Sequence, residues 1–369
     1  MQNSCRESVD YMDMKKIKVV MCGSALSNGG GVVAVTKNYL EYNEWDHVEI
    51  KYVVTHINGS ALKKICVFVS AYLKILGLLF RNQVDVFHLH ACDGGPFYRK
   101  SIILFTAKLF KKKVILHHHT DYTEFFGSIS GLKAKFVKRA LKEADINIVL
   151  GQNLIPVVKG YEAKAKIHVL YNAVLQKEKY CFNQDADTIL FLGWLLERKG
   201  IFDLLQAVKQ IEQLLPNNIK IALCGLADDM TLTRIREYGL DERISHIGWI
   251  DGIEKKELLN KAIVNVLPSY REGLPMTILE TMAMGIPNIA SKISTIPEVI
   301  KDKENGLLVE PGNIDQISDC IRTVVLNEQY RRKLSEQSFD TIKEKFELKK
   351  HIDTVNSIYM QLWRGYDND

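Results

Sequence analysis

The sequence predicts an α/β protein of two doubly wound domains that face each other across a cleft. Three observations lead there. The chain's 369 residues exceed one ordinary core and suit two domains. Short β-branched runs alternate with helical stretches through the first half. After a polar segment at 173–186 the same alternation starts again. Hydrophobic content of 47% and charged content of 25% fit a soluble globular chain.

The first strand is KIKVVMC (16–22), which runs into a glycine-rich loop and a helix at about 31–42. VEIKYVVT (48–55) is the next strand and 60–82 the next helix. VDVFHLH (84–90), KVILHHH (113–119), ADINIVL (144–150) and KIHVLYN (166–172) complete the first set. The second set opens with DTILFLGW (187–194) and the helical IFDLLQAVKQIEQLL (201–215), which stops before Pro216. IKIALCG (219–225), ISHIGW (244–249), AIVNVLPS (262–269) and PNIAS (287–291) follow, with helices at about 229–238, 254–260 and 275–284. A last helix at about 350–364 can pack on either domain. In such sheets ligands sit beyond the carboxyl ends of the strands, so the loops there should carry the chemistry.

Residues 1–13 read as a polar extension before a natural start at Met14, and KIKVVMC is too short for a signal core. Seven cysteines, at 5, 22, 66, 92, 181, 224 and 320, are scattered without a C-x-x-C pair. That argues against a zinc site or a disulfide framework and for a reducing cytoplasm. The net charge of +5 divides unevenly: residues 1–180 hold 26 Lys+Arg against 15 Asp+Glu, and residues 181–369 hold 23 against 29. The basic half is expected to face something anionic, unless chance and solvated helix faces explain it. The bases concentrate in KLFKKK (108–113) and GLKAKFVKRALK (131–142). In the latter Lys135, Lys138, Arg139 and Lys142 fall at helical spacing, with Leu132, Phe136 and Val137 as apolar contacts. KKICVFVSAYLKILGLLFR (63–81) is apolar between basic flanks but interrupted by Lys74, and is short for a membrane span. It can lie in a membrane plane, though burial against the sheet is the favoured reading. No nucleic-acid-binding motif accompanies the bases.

Four loops carry candidate chemistry. SNGGG (27–31) lets backbone N–H groups approach a phosphate or sugar at a helix start, chiefly through Gly29 and Gly30. It matches neither a G-x-G-x-x-G nor a Walker A loop. In HHHTDYTEFFG (117–127), His117 and His119 share one strand face and His118 the other. Asp121 and Glu124 are the nearest acids, without metal-ligand spacing, so an imidazole offered to a sugar is favoured over a metal site. In GWLLERKG (193–200), Arg198 and Lys199 at a helix start oppose the helix dipole, which suits a shared anion. In YREGLPMTILETMAMG (270–285), Glu272 lies in a loop before Pro275 and Glu280 on the helix after it. Gly273 and Leu274 cannot cap that helix, so its N–H donors stay free for a ligand. The pair Asp185 and Asp187 reads as solvated loop rather than a metal site.

These motifs resemble those of retaining glycosyltransferases of the GT-B fold, glycosyltransferase family 4 (group 1). Glu272 and Glu280 match an E-x7-E motif, GWLLERKG the diphosphate loop, NGGG the N-terminal glycine loop, HHHT the active-site histidine loop, and YNAV (171–174) the turn near the domain boundary. The likeness runs from about residue 16 to 350. It implies two Rossmann-like domains facing a cleft, an acceptor domain at 1–175 and a nucleotide-sugar domain at 176–349, with 350–369 returning to the first. It implies that Glu280 binds the ribose hydroxyls. Glu272 with the backbone of Gly273, Leu274 and Pro275 would bind the donor sugar. Lys199 would neutralise the diphosphate, Gly29 and Gly30 would approach the phosphates, and His119 the transferred sugar. The base would rest near Trp249 and Ile250. One departure stands out: Trp194 occupies the position of the usual diphosphate arginine, so Arg198 is expected to supply that charge. The implied reaction needs no cofactor and no metal. The donor is a UDP- or GDP-linked sugar, and the acceptor a glycan or lipid-linked sugar. The implied place is the cytoplasm, peripheral on an anionic inner membrane face. A sugar-nucleotide epimerase and a non-catalytic sugar-nucleotide-binding protein are the rival readings.

Overall fold

The computed structural model describes residues 15–176 and 178–364. Cys5, Met14 and the polar 1–13 extension lie outside the described residues. Two six-stranded sheets organise the chain. The first contains β1 (Ile17–Ser24), β2 (Val48–His56), β3 (Val86–Ala91), β4 (Lys113–His118), β5 (Ile146–Val149) and β6 (Ile167–Val169), in the order β2-β1-β3-β4-β5-β6. The second contains β7 (Thr188–Leu192), β8 (Lys220–Cys224), β9 (Ile244–Gly248), β10 (Ala262–Leu267), β11 (Asn288–Ser291) and β12 (Leu307–Val309), in the order β12-β11-β10-β7-β8-β9. All their pairings are parallel. Every residue of β3, β7, β10 and β11 is buried, because helices cover both faces of a parallel sheet. That is why these strands read as continuous apolar runs. β12, only three residues long, has no counterpart in the sequence reading.

Strand order reverses between β1 and β3 in one sheet and between β7 and β10 in the other. Loops after the carboxyl ends diverge at such points and leave a crevice. The helix after β7 is shorter than the pattern suggests. It spans Ile201–Ile211 and tightens into a 3₁₀ turn at Glu212–Leu214, since residues before Pro216 are pushed out of the α region. Arg198 and Lys199 are not in its first turn. They belong to a separate 3₁₀ turn, Glu197–Lys199, cut off from the helix by left-handed Gly200.

The chain crosses between the sheets twice, and the crossings are stitched together. Val174 N donates to Phe346 O at 3.0 Å, and Leu348 N donates to Val174 O at 2.9 Å. The last helix, Leu348–Arg364, lies on the first sheet. There His351 Nε2 and Tyr39 OH share a hydrogen bond of 2.6 Å, and Tyr359 OH meets His88 Nδ1 at 2.6 Å.

The apolar segment after β2 forms the helix Ala61–Phe80. It buries Ala71, Ile75, Leu78 and Leu79, but its opposite side stays exposed, so the favoured reading of a helix buried against the sheet describes one face only. The basic helix Gly131–Glu143 corrects another expectation. Val137 is buried, and Phe136 packs on Phe105 and Tyr98, so neither offers an outward apolar contact.

Gly200 ties the 3₁₀ turn to the β10 loop. Its φ is 74°, and an added Cβ would run into the carbonyl of Pro268. We expect Gly200→Ala to lower the unfolding free energy by about 2 kcal/mol or more. Gly127→Ala, where a Cβ meets open space, should change it by less than about 1 kcal/mol. Denaturant unfolding of both variants checks this.

Candidate active site

Between the sheets lies a cleft of about 720 Å³. It is lined by Gly29, Gly30 and His119 from the first half and by Trp194, Arg198, Lys199, Trp249, Ile250, Glu272, Gly273, Leu274, Pro275 and Glu280 from the second. The residues that the resemblance assigns to the donor site therefore reach one space, whereas His117, Asp121 and Glu124 do not line it.

The glycine loop is shaped by backbone conformation. Gly29 and Gly30 have φ of 69° and 89°, a region that side chains other than hydrogen make costly. A Cβ on Gly29 would stand 2.6 Å from the Trp249 ring, so the loop touches the opposite domain. The helix behind it, Gly31–Glu41, has no side-chain cap, and neither does Met276–Met282 across the cleft. Pro275 is the N-cap of the latter rather than a residue of its first turn. Both helices thus leave backbone N–H donors at the cleft.

The two acids of the E-x7-E motif are each paired with a lysine. Lys199 Nζ lies 2.5 Å from Glu272 Oε1, which also accepts from Ser269 Oγ at 2.8 Å. Lys255 Nζ donates to Glu280 Oε2 at 2.9 Å. Sequence reading missed Lys255, whose helix Gly252–Lys261 shows only a run of charge. Arg198 is exposed, and its guanidinium makes no hydrogen bond or ion pair among the described residues. It is held in place through its backbone, where Tyr270 N donates to Arg198 O at 2.9 Å.

Beside Glu272 stands a second residue the sequence did not flag. Arg271 reaches into the first domain, donating to Asp93 Oδ2 at 2.6 Å, Glu124 Oε2 at 2.9 Å and Asp121 O at 3.0 Å. Glu298 makes a similar bridge, accepting from Gln152 N and Asn153 N at 2.8 Å and from Tyr171 OH at 2.6 Å. Asn172 Nδ2 donates to Leu274 O at 2.8 Å, and Thr295 Oγ1 to Gly273 O at 2.8 Å. These bonds fix the loop carrying Glu272 from both sides.

His119 ends a buried histidine array. Residues 88 and 90 on β3 and 117 on β4 share its sheet face, with His90 opposite His117 in register. His90 Nδ1 and His119 Nε2 meet at 2.7 Å, and His88 Nε2 and His117 Nδ1 at 3.0 Å. His118 points the other way, to Asn147 Oδ1 at 3.1 Å. Nitrogens of His88, His90 and His117 lie within 4.8 Å of one another, close enough to converge on a metal ion. His90 Nε2 and His117 Nε2 are buried without a protein partner. However, the buried Lys100 ammonium bears on His90, and no carboxylate among the described residues joins the group. A divalent cation there would sit beside the Lys100 ammonium without the acidic support that metal-bound imidazoles usually have. Burial, reinforced by neighbouring imidazoles, pushes His88 and His119 down to about 3. Burial also lowers His351 to about 4 and holds His90 and His117 well below their usual range. The array is therefore neutral near pH 7, and His90 aligns the ring of His119.

Two Rossmann-like sheets with facing switch points define the GT-B architecture. Residues 172–341 match the family described as "Glycosyl transferases group 1". An uncharacterized glycosyltransferase of Methanocaldococcus jannaschii is 28% identical over 334 residues, covering 88% of this chain and 89% of that one. The O-antigen chain mannosyltransferase B of Escherichia coli is 30% identical over 161 residues, 43% of this chain and 41% of that one. Among solved structures, HepE of Anabaena in complex with UDP-glucose superposes with a TM-score of 0.75 at 14% identity, covering 94% of this chain and all of that one. Residues 172–341 therefore resemble the group 1 glycosyltransferases, and the chain as a whole has the GT-B fold.

The histidine array makes stability depend on pH. Unfolded imidazoles titrate near about 6.5, whereas the folded ones titrate lower, so below about pH 6.5 the unfolded chain binds more protons. Stability should then rise with pH from about 4 to 6.5 and level off above. Each extra proton contributes a slope of about 1.4 kcal/mol per pH unit. Denaturant midpoints at pH 7.5, 6 and 5 test this, and an unchanged midpoint would contradict it.

Proposed function

We propose that this protein is a retaining, metal-independent glycosyltransferase of family 4. It would move a sugar from a UDP- or GDP-linked donor to a hydroxyl of a lipid-linked or growing cell-surface glycan. The observation that carries the reading is the Lys199–Glu272 pair, set beside His119 at the meeting of the two domains. A carboxylate whose one oxygen holds a lysine and a serine keeps its other oxygen for sugar hydroxyls. The lysine remains close enough to answer the negative charge that develops on a departing diphosphate.

In this reading the bond from the sugar to the donor phosphate breaks through an oxocarbenium-like state, and the acceptor hydroxyl attacks on the same face. Arg198, an exposed cation at the cleft without a protein partner among the described residues, supplies charge where Trp194 supplies none. The free N–H groups of Gly31–Glu41 and Met276–Met282 add positive potential. His119 is neutral and acts as a hydrogen-bonding partner of the sugar, not as a general acid. Glu280, already holding Lys255, binds the ribose, and the base rests near Trp249 and Ile250.

Support for the donor class comes from the UDP-glucose complex of the Anabaena neighbour, and for the acceptor class from the O-antigen mannosyltransferase. No helix among the described residues is long and apolar enough to cross a membrane. We place the enzyme in the cytoplasm, at the inner face of the cell membrane, where a lipid-linked acceptor would be presented.

A panel of nucleotide sugars, assayed for slow donor hydrolysis with and without EDTA, identifies the donor and tests metal independence. With that donor, Glu272→Ala and Lys199→Ala should each lower kcat/KM by about tenfold to a thousandfold, about 1.4–4 kcal/mol of transition-state stabilisation. Near-wild-type rates for both would remove the assignment. Arg198→Ala should weaken donor affinity strongly, and Trp194→Arg should be tolerated or improve it. Unchanged affinity in Arg198→Ala would assign the diphosphate to other groups.

A further inference from the structure

The helix Ala61–Phe80 carries an apolar stripe that nothing among the described residues covers. Leu62, Ile65, Val69, Leu73 and Phe80 are each between 51% and 76% exposed. Their spacings of three, four, four and seven keep them within about 80° of the helix circumference at about 100° per residue. The stripe thus runs the full length of the helix, on the side away from the buried Ala71, Ile75 and Leu78. Phe80 packs edge-on against Phe110, with ring centroids 5.2 Å apart, and Leu109, 83% exposed, continues the patch onto the next helix. Scattered apolar side chains on a surface are ordinary, but a continuous stripe is not.

Charge says what covers it. Residues 61–81 contain Lys63, Lys64, Lys74 and Arg81 and no Asp or Glu. Lys63, Lys74 and Arg81 project along one flank of the stripe, about 100° to 120° around from Leu62. Pairing this face with the same face of a second copy would bring cations together without an acid to offset them. A surface with an apolar interior and anionic headgroups meets both features at once. The helix is also well placed for such a surface. It starts from the carboxyl end of β2, and in the loop before it Asn58 N donates to Asn28 Oδ1 at 3.1 Å, next to the cleft's glycine loop.

We propose that the outer face of Ala61–Phe80 docks on an anionic lipid bilayer, with Leu62, Ile65, Val69, Leu73 and Phe80 entering the acyl boundary and the flanking bases at the headgroups. The helix lies in the plane of the surface and does not span it. The proposal deepens the reading above, on which it rests for its purpose: a lipid-linked acceptor would meet the cleft in that plane. It also separates this helix from the basic Gly131–Glu143. There Phe136 and Val137 turn inward, and Arg139 lies over the Phe105 ring, so that helix offers charge without an apolar stripe.

The test uses the full chain with vesicles of phosphatidylglycerol and phosphatidylcholine, against vesicles of phosphatidylcholine alone, at low and high salt. Co-sedimentation should be at least tenfold stronger with the anionic vesicles and should weaken as salt rises. The exposed double substitution Ile65→Glu/Leu73→Glu should reduce it at least tenfold. Val69→Trp should gain fluorescence quenching by brominated lipid over the wild-type protein. Equal binding by the wild type and the double variant, or no added quenching at position 69, would overturn the proposal. So would a dimer in sedimentation velocity that the double variant dissociates, since the stripe's occupant would then be a second copy. Donor hydrolysis without vesicles is measured in parallel. Its loss in the wild type would count against the transferase mechanism, whereas vesicle binding reads the helix face alone.

Discussion

The site depends on how closely two backbones can approach. A Cβ on Gly273 would lie 2.6 Å from the carbonyl oxygen of His119, so only hydrogen fits between the two domains at that point. From this contact the neighbouring residues take their places. Glu272, one position earlier, is brought beside His119. Arg271, two positions earlier, reaches past it to Asp93 and Glu124. A second close approach repeats the device: a Cβ on Gly151 would lie 2.7 Å from Glu298 Oε1, where that carboxylate receives two backbone N–H groups. Glycine here does not supply flexibility. It lets one domain's loop rest directly on the other, on the main chain at Gly273 and on side chains at Gly151.

Given that approach, the electrostatics are balanced group by group. Each motif acid has a lysine, the interdomain arginine has two acids, and the histidines are neutral by burial. Arg198 and Lys37 are cleft-lining cations that stand outside these pairs among the described residues. A polar cleft built this way can receive an anion without first uncovering a buried, uncompensated charge, which is the costly arrangement.

Much of the fold was legible because parallel strands buried on both faces write themselves as β-branched runs, and because Gly and Pro mark their ends. VFHLHA and TILFL are read directly. The cleft loops were legible for the same reason, since glycines and charged residues stand where strands stop. Other features depend on register or on distant partners. The doublets HLH and HHH announce histidines on two strands, but only the pairing of His90 with His117 makes them one array. Arg271 looks like any loop arginine until Asp93 and Glu124 arrive from 178 and 147 residues away. The helix Ala61–Phe80 is apolar on nearly every side, so its periodicity could not say which side faces the sheet. β12 is too short to show a period. Helix Ile314–Leu326 did carry a signal, Ile317, Ile321, Val324 and Val325 on one side, that went unread.

The stitched crossing at Val174 and Glu347 has a mechanical consequence. A single linker lets two bodies swivel in any direction. Two linkers joined side by side by backbone hydrogen bonds act instead like a door hinge: they bend most easily about the one axis that passes through both linkers and resist rotation about the others. The last helix is anchored in the first domain by His351 and Tyr359, so the second strand of the hinge is pinned at its far end. An opening of the cleft about that axis would part Arg271 from Asp93 and Gly273 from His119 together, and closure about it would restore both contacts in the same register.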